Sequence, residues 1–241
     1  MSTLYLVRHG QASFGQSNYD QLSELGDQQS KLLGEYWLKW KVSLDAVYTG
    51  TLVRQIRSAE AVAAVYQAAG QPFPSPVAWP EFNEYDTQSL LTNSFPKVAA
   101  EHPEIVKLIR ELNPGSSADI VENKKIFQRV FSAVMDRWVD GKIKIAGMES
   151  WQNFAGRVNR GLSELMSEQG PSKTVALFTS GGPISVAMQR ALGASDKTAL
   201  ELGWVIANGS VSEFRWSGDK FSLASFNGTA HLDRGELISY R

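Results

Sequence analysis

The chain has 241 residues, a formal net charge of −1 and 43% apolar residues. That length and balance suit one large soluble domain with a sizeable core, and the near-neutral charge argues against nucleic acid or an anionic membrane as the main partner. The lack of cysteine excludes a disulfide framework, a zinc–thiolate site and a thiol nucleophile, and fits a cytoplasmic, reducing setting.

The opening MSTLYLVRHG has neither the charged segment nor the long apolar run of a signal peptide. No stretch reaches the apolar length that spans a bilayer. Thr3 to Val7 reads as a short buried strand ending in RHG. Ser23 is a plausible N-cap for a helix over 24–39, with Leu25, Leu32, Leu33 and Trp37 at roughly helical spacing. Leu44 to Tyr48 reads as a second strand. A second helix over 52–69 sets Leu52, Ile56, Ala59, Ala63 and Tyr66 on one face, and Gly70 closes it. The proline-rich PFPSPVAWPEFNEYD carries a short strand near Val77 to Trp79.

From Thr87 to Met148 the pattern is helical and more polar, and reads as an insertion (87–148) within a single domain spanning 1–241. Its aromatics and one beside it (Phe127, Phe131, Trp138, Trp151) are expected in a core, and Lys124–Lys125 and His102 on the surface. A helix from Trp151 to Glu168 follows, then the strand Thr174 to Phe178 and a helix from Pro183 to Leu192 closed by Gly193. Val211 to Trp216 and Phe221 to Phe226 form a hairpin across SGDK. Strands alternating with helices predict an α/β three-layer sandwich with a mostly parallel central sheet flanked by helices.

In open α/β sheets, ligands bind outside the carboxyl ends of the strands. Two such ends carry unusual residues. Arg8 and His9 leave the first strand together, and Gly10 lets the backbone turn. The later strand ends in Thr179, Ser180, Gly181, Gly182, where Pro183 suits the first helical position and free amides favour an anion. A cation, an imidazole and an anion-friendly helix start point to a phosphate site. A neutral histidine attacks phosphorus to give a phosphoramidate that water can hydrolyse. Such chemistry needs positive charge around the phosphoryl oxygens and an acid for the leaving oxygen. The three histidines match no zinc-binding spacing, and no cofactor is expected.

LYLVRHGQ resembles the opening motif of the histidine phosphatase superfamily, the phosphoglycerate-mutase-like family. LSELGDQQ resembles its L-T-x-x-G-x-x-Q segment. YTGTLVRQIRSAEAV resembles S-x-L-x-R-A-x-Q-T-A-E, with Gly50 and Arg57 departing. FNEYD resembles the L-x-E segment, and MESWQNFAGRV the G-E-S segment. These follow one another in order over most of the chain. The resemblance implies that His9 attacks the phosphoryl group, that Arg8 and Arg54 clamp its oxygens, and that Glu84 protonates the leaving group and then helps to activate water. Arg57 is the rival to Arg54, and Glu81 and Asp86 are the rivals to Glu84. The family's last motif is a strand followed by S-H-G-G, so Ser180 stands where a second histidine is expected. Ser180 and Gly181 would face the phosphate, and Gln11 and His231 are candidate pocket residues.

The implied activity is a phosphatase acting on a small phosphorylated substrate, weakened by Ser180. The alternative is an impaired pseudoenzyme that binds a phosphorylated ligand or partner. A mutase fits less well, because Glu84 is followed by YDTQSLL and not by an E-R-H-Y-G-like run. A serine hydrolase elbow, G-x-S-x-G, fails at Phe178. Substrate choice is expected to lie in the insertion and the loop from Ser13 to Asn18.

Overall fold

The computed structural model describes residues 1–13, 20–101, 124–144 and 147–240. His102 and the loop positions 14–18 lie outside the described residues, as do the side chains of Lys124, Lys125 and Phe127. The chain divides into two compact units, Met1–Glu84 with Ala155–Arg241, and Tyr85–Phe154.

The first unit holds a six-stranded sheet of order β3-β2-β4-β1-β5-β6. Its strands are β1 (Ser2–Arg8), β2 (Ala46–Thr49), β3 (Val77–Ala78), β4 (Thr174–Thr179), β5 (Val211–Ser217) and β6 (Lys220–Gly228). The first four run parallel, and β5 and β6 form an antiparallel hairpin added beside β1. β1 and β4 are covered on both faces, so their apolar residues run nearly unbroken. β5 alternates, burying Ser212, Phe214 and Trp216 while Arg215 and Ser217 face outward.

Helix α1 (Glu24–Lys39) follows β1, and α2 (Val53–Ala68) follows β2. Ser23 caps α1 as its sequence suggests, its Oγ accepting from Gly26 N at 3.1 Å. Leu33 and Trp37 of α1 meet Ala59, Val62 and Tyr66 of α2 above Val7, Val47 and Phe178 of the sheet. Each large side chain buried in this way contributes about 1.5–3 kcal/mol. Gly70, just past α2, adopts the left-handed φ of 65° that ends helices.

The connections from β1 and β4 leave in opposite directions. α1 leads across to β2, whereas α6 (Gly181–Leu192) and α7 (Asp196–Val205) lead to β5. This divergence opens a crevice at the carboxyl ends of two neighbouring strands. α6 starts two residues before the expected Pro183, which is thus its third residue. Proline fits there because the first four amides of a helix have no partner within it. α7 is a helix the sequence reading did not anticipate. It is short, and its cap is local: Ser195 Oγ accepts from Thr198 N at 3.2 Å.

The second unit contains α3 (Thr87–Glu101), α4 (Lys124–Val139) and the first turn of α5 (Trp151–Gln169). Trp138 and Trp151 are buried, with ring centroids 5.5 Å apart, and Tyr85 packs on Trp138 at 4.8 Å. Phe131 is only half-buried. Among the described residues, no helix is long and apolar enough to cross a membrane.

One close approach fixes how α1 meets the end of β1. A Cβ on Gly10 would stand 2.1 Å from Gly26 O, and a Cβ on Gly26 would stand 2.1 Å from Gln11 O. Gly10 has no positive φ, so it is there for this contact and not for the turn the sequence suggested. Gly26→Ala should therefore cost about 1–3 kcal/mol through forced backbone movement. Gly156→Ala, in α5, should instead stabilise by about 0.5–1 kcal/mol, because its new methyl would meet only Arg160 Nη1 at 3.7 Å. Urea unfolding midpoints of the two variants check both signs.

Candidate active site

The site is built where β1 and β4 end side by side. The register pairs Arg8 with Thr179, and His9 N continues the ladder to Thr179 O at 2.8 Å. His9 and Ser180 therefore leave adjacent strands at the same level. Gly209 N supports the β1 end from the other side, donating to the carbonyls of both Arg8 and His9 at 3.1 Å.

His9 is only 4% exposed, and each ring nitrogen has a distinct partner. Nδ1 lies 2.7 Å from Gly10 O, which can only accept, so Nδ1 carries the proton. Nε2 faces Arg54 Nε at 3.2 Å, which can only donate, so Nε2 presents its lone pair. Burial, then the charges of Arg54 and Arg8, hold His9 well below the usual imidazole range. The ring is thus neutral, with its nucleophilic nitrogen turned to a guanidinium.

Arg54 lies in the first turn of α2 and is 7% exposed. Besides Nε on His9, its Nη1 pairs with Asp20 Oδ1 at 2.8 Å. Asp20 also accepts from Val53 N at 2.9 Å and Arg54 N at 3.4 Å. α2 has Leu52 at its N-cap and no acid in its first turn, so Asp20 supplies the missing cap from a distant loop. The rival Arg57 is turned out to Glu60 at 2.9 Å.

Arg8 donates through Nη1 to the carbonyl oxygens of Ile206 and Tyr240. Gly181 lies close by, since a Cβ there would come 4.0 Å from Arg8 Nε. Glu84 accepts from Gly182 N at 3.0 Å, so its carboxyl group occupies the start of α6. Asp86 instead takes Ser89 N at 2.9 Å at the start of α3, and Glu81 offers its backbone carbonyl to Arg157.

Ser180 is fully buried and accepts from Gln55 Nε2 at 2.9 Å. Gln11 is tied into the α1 start, where its Oε1 accepts from Ser23 Oγ at 2.9 Å and its N donates to Gln29. His231 is buried beside Tyr36 and Gly209. The structure thus groups His9, Arg54 and Ser180 at one corner, with Arg8 and Glu84 at the α6 start. Among the described residues, no group of His, Asp and Glu could hold a metal ion.

Asp20 and Gln55 are the site residues that sequence reading passed over. A leucine at an N-cap with no acid behind it was the available signal for Asp20. For Gln55 the signal was an amide at the position of the motif's alanine, beside the arginine.

The chain matches the histidine phosphatase superfamily (branch 1) over residues 4–140 and 109–229. No curated protein matches it. Among solved structures it is similar to phosphoglycerate mutase from Bacillus anthracis, with a TM-score of 0.64 and 16% identity, covering 98% of this chain and 96% of that one. It is also similar to a putative α-ribazole-5′-P phosphatase from Escherichia coli (TM-score 0.64, 19% identity, 95% and 97% covered). A third is phosphoserine phosphatase from Entamoeba histolytica, in complex with 3-phosphoglyceric acid (TM-score 0.62, 16% identity, 96% and 100% covered). These likenesses show the phosphoglycerate mutase-like fold.

Two titrations follow from the site. His9 should titrate below pH 6.5, and Arg54→Met should move that titration upward by removing a repelling charge; imidazole nitrogen chemical shifts read both. Burial lowers His231 to about 4. Its folded value thus lies below its unfolded value. Its stabilising contribution is complete above the unfolded pKa and is lost as pH falls from about 6.5 towards 4. Wild type should lose about 3 kcal/mol more than His231→Phe between pH 7 and pH 4, measured by urea unfolding.

Proposed function

Because the chain belongs to the histidine phosphatase superfamily, we propose that it is a phosphomonoester hydrolase that works through a phosphohistidine at His9. The observation that carries the reading is the state of the His9 ring. Its Nδ1 proton is committed to Gly10 O, and its Nε2 lone pair lies 3.2 Å from Arg54 Nε. A neutral imidazole held this way is a nucleophile beside a cation that can receive phosphoryl oxygens.

Nε2 attacks phosphorus, and the P–O bond to the leaving group breaks. The leaving oxygen takes a proton from Glu84. Water then attacks the phosphohistidine, Glu84 takes the water's proton, the N–P bond breaks, and phosphate and neutral His9 are restored. In this scheme Arg54 exchanges part of its hold on His9 for the phosphoryl oxygens, and Arg8 adds charge from the α6 side. The ligand class is a small phosphate monoester, in keeping with the phosphatases that share the fold.

A second reading rests on Ser180. Loss of one preorganised donor to a transition state costs on the order of 10²–10³ in rate. A chain that kept the arginines but lost turnover would bind a phosphorylated ligand and release it unchanged.

The test is p-nitrophenyl phosphate turnover together with trapping of the phosphoenzyme in alkali. Wild type should form an acid-labile, alkali-stable phosphoenzyme. His9→Ala should form none and turn over at least about a thousandfold more slowly. Equal turnover by wild type and His9→Ala would sink the phosphohistidine mechanism. Phosphate binding by calorimetry without turnover would favour the second reading.

A further inference from the structure

The amide of Gln55 is a buried polar group that the mechanism above does not use. It is fully buried, and every part of it is committed. Oε1 accepts from Leu52 N at 3.3 Å, while Nε2 donates to Ser180 Oγ at 2.9 Å and to Phe82 O at 3.2 Å. The reverse amide orientation would set oxygen against the Phe82 carbonyl and nitrogen against the Leu52 amide, so these partners fix which end faces Ser180.

The fold makes room for this amide at a specific place. A Cβ on Gly50 would stand 2.0 Å from Gln55 Oε1 and 2.7 Å from Asn83 Oδ1. Glycine at 50 therefore leaves room for the Gln55 amide in the orientation it takes. An imidazole at 180 would in turn need the space that Gln55 Nε2 fills, 2.9 Å from Ser180 Oγ. Gly50, Gln55 and Ser180 are one fitted set, and each differs from the motif residue at its position.

The direction of the Ser180 hydroxyl follows. Arg54 and Gln55 are consecutive in the first turn of α2. Arg54 meets the side chain of His9, and Gln55 meets the side chain of Ser180. Both strand-end side chains thus lie on the α2 side of the sheet. The Ser180 oxygen spends one lone pair on Gln55, so its proton points away from that amide, and no described residue is paired with it as acceptor.

We propose that Gln55 is a positioning residue that holds the Ser180 hydroxyl as a hydrogen-bond donor to the phosphoryl group bound at His9. In this arrangement a glutamine–serine pair does the work of a single longer donor. The inference rests on the phosphate reading of the site, and adds a residue that sets the geometry of its transition state.

The test compares Gln55→Met, Gln55→Glu, Ser180→Ala and the double variant Gln55→Met/Ser180→Ala. Far-UV circular dichroism selects the folded variants. The readouts are kcat and KM for p-nitrophenyl phosphate, and orthovanadate affinity by calorimetry. Ser180→Ala and Gln55→Met should each lower kcat by on the order of 10²-fold with little change in KM, and weaken vanadate. The double variant should be no worse than Ser180→Ala, because Gln55 acts only through that hydroxyl. Gln55→Ala/Ser180→His should recover kcat, with an imidazole in the vacated space.

Wild-type kcat and vanadate affinity in Gln55→Met, or losses that multiply in the double variant, overturn the proposal. If wild type binds vanadate without turnover and both single variants weaken it, the positioning role stands and hydrolysis does not. Failure of wild type to bind vanadate overturns both.

Discussion

A guanidinium buried as deeply as that of Arg54 must be partnered, and its partners define the rest of the site. An unpaired charge at that depth costs several kcal/mol, which is enough to displace it or unfold the corner. Asp20 and His9 meet the need. Asp20 neutralises the charge, the first turn of α2 fixes the backbone beneath it, and the His9 lone pair takes Nε. The same contacts do chemical work. Acceptance from Nε identifies Nε2 as the unprotonated nitrogen, and the cation so close by keeps the ring neutral. In the proposed reaction, a phosphoryl group arriving at Nε2 would bring negative oxygens to a donor already satisfied by imidazole and carboxylate. The contacts that stabilise the arginine also place it for the role proposed above.

The frame around that pair was legible in the sequence to the extent that its signals were local. RHG at the end of an apolar run, and TSGG at the end of another, marked two strand ends. The alternation of strands and helices made those strands parallel and open at one edge. Ser23 before a helical period, Gly70 after one and SGDK between two β runs are signals of the same short range. What escaped was held together over long separations. Asp20 serves α2 from more than thirty residues upstream, and no window of sequence joins them. Arg8 was legible as a cation, but its carbonyl partners at Ile206 and Tyr240 belong to the far end of the chain. His231 was named as a pocket candidate from its N-x-T-x-H setting, and the neighbours it has, Tyr36 and Gly209, are not legible from that segment. Gly10 was recognised correctly as a required glycine and for the wrong reason, since only the packed α1 reveals the oxygen of Gly26 against it.

The carbonyl of Phe82 shows how the two sides of the site are kept in register. It accepts from Thr179 Oγ1 at 2.7 Å and from Gln55 Nε2 at 3.2 Å. One oxygen thus ties the end of β4 and the start of α2 to the segment that carries Glu84 two residues later. Arg157 grips that segment as well, at the carbonyls of Pro80, Glu81 and Asn83. Glu84 sits on no helix or strand of its own, yet these bonds fix the backbone that presents it to Gly182 N. Geometry held through main-chain oxygens tolerates changes of side chain that geometry held through side-chain pairs does not.

That tolerance bears on how the serine at 180 is to be understood. Set against the motif the chain resembles, a serine at 180 would by itself be a subtraction: a shorter side chain and a lost donor. Within this corner it is part of an exchange of volume. The amide of Gln55 lies against Ser180, and its oxygen lies where a Cβ on residue 50 would fall. A simple loss would leave a cavity or an unsatisfied polar group beside His9. Instead the amide is hydrogen-bonded at both its nitrogen and its oxygen, and Ser180 Oγ has its partner. Fitting a polar amide into a fully buried position costs desolvation that an alanine there would avoid. On the proposal above, that cost serves to orient the hydroxyl beside His9.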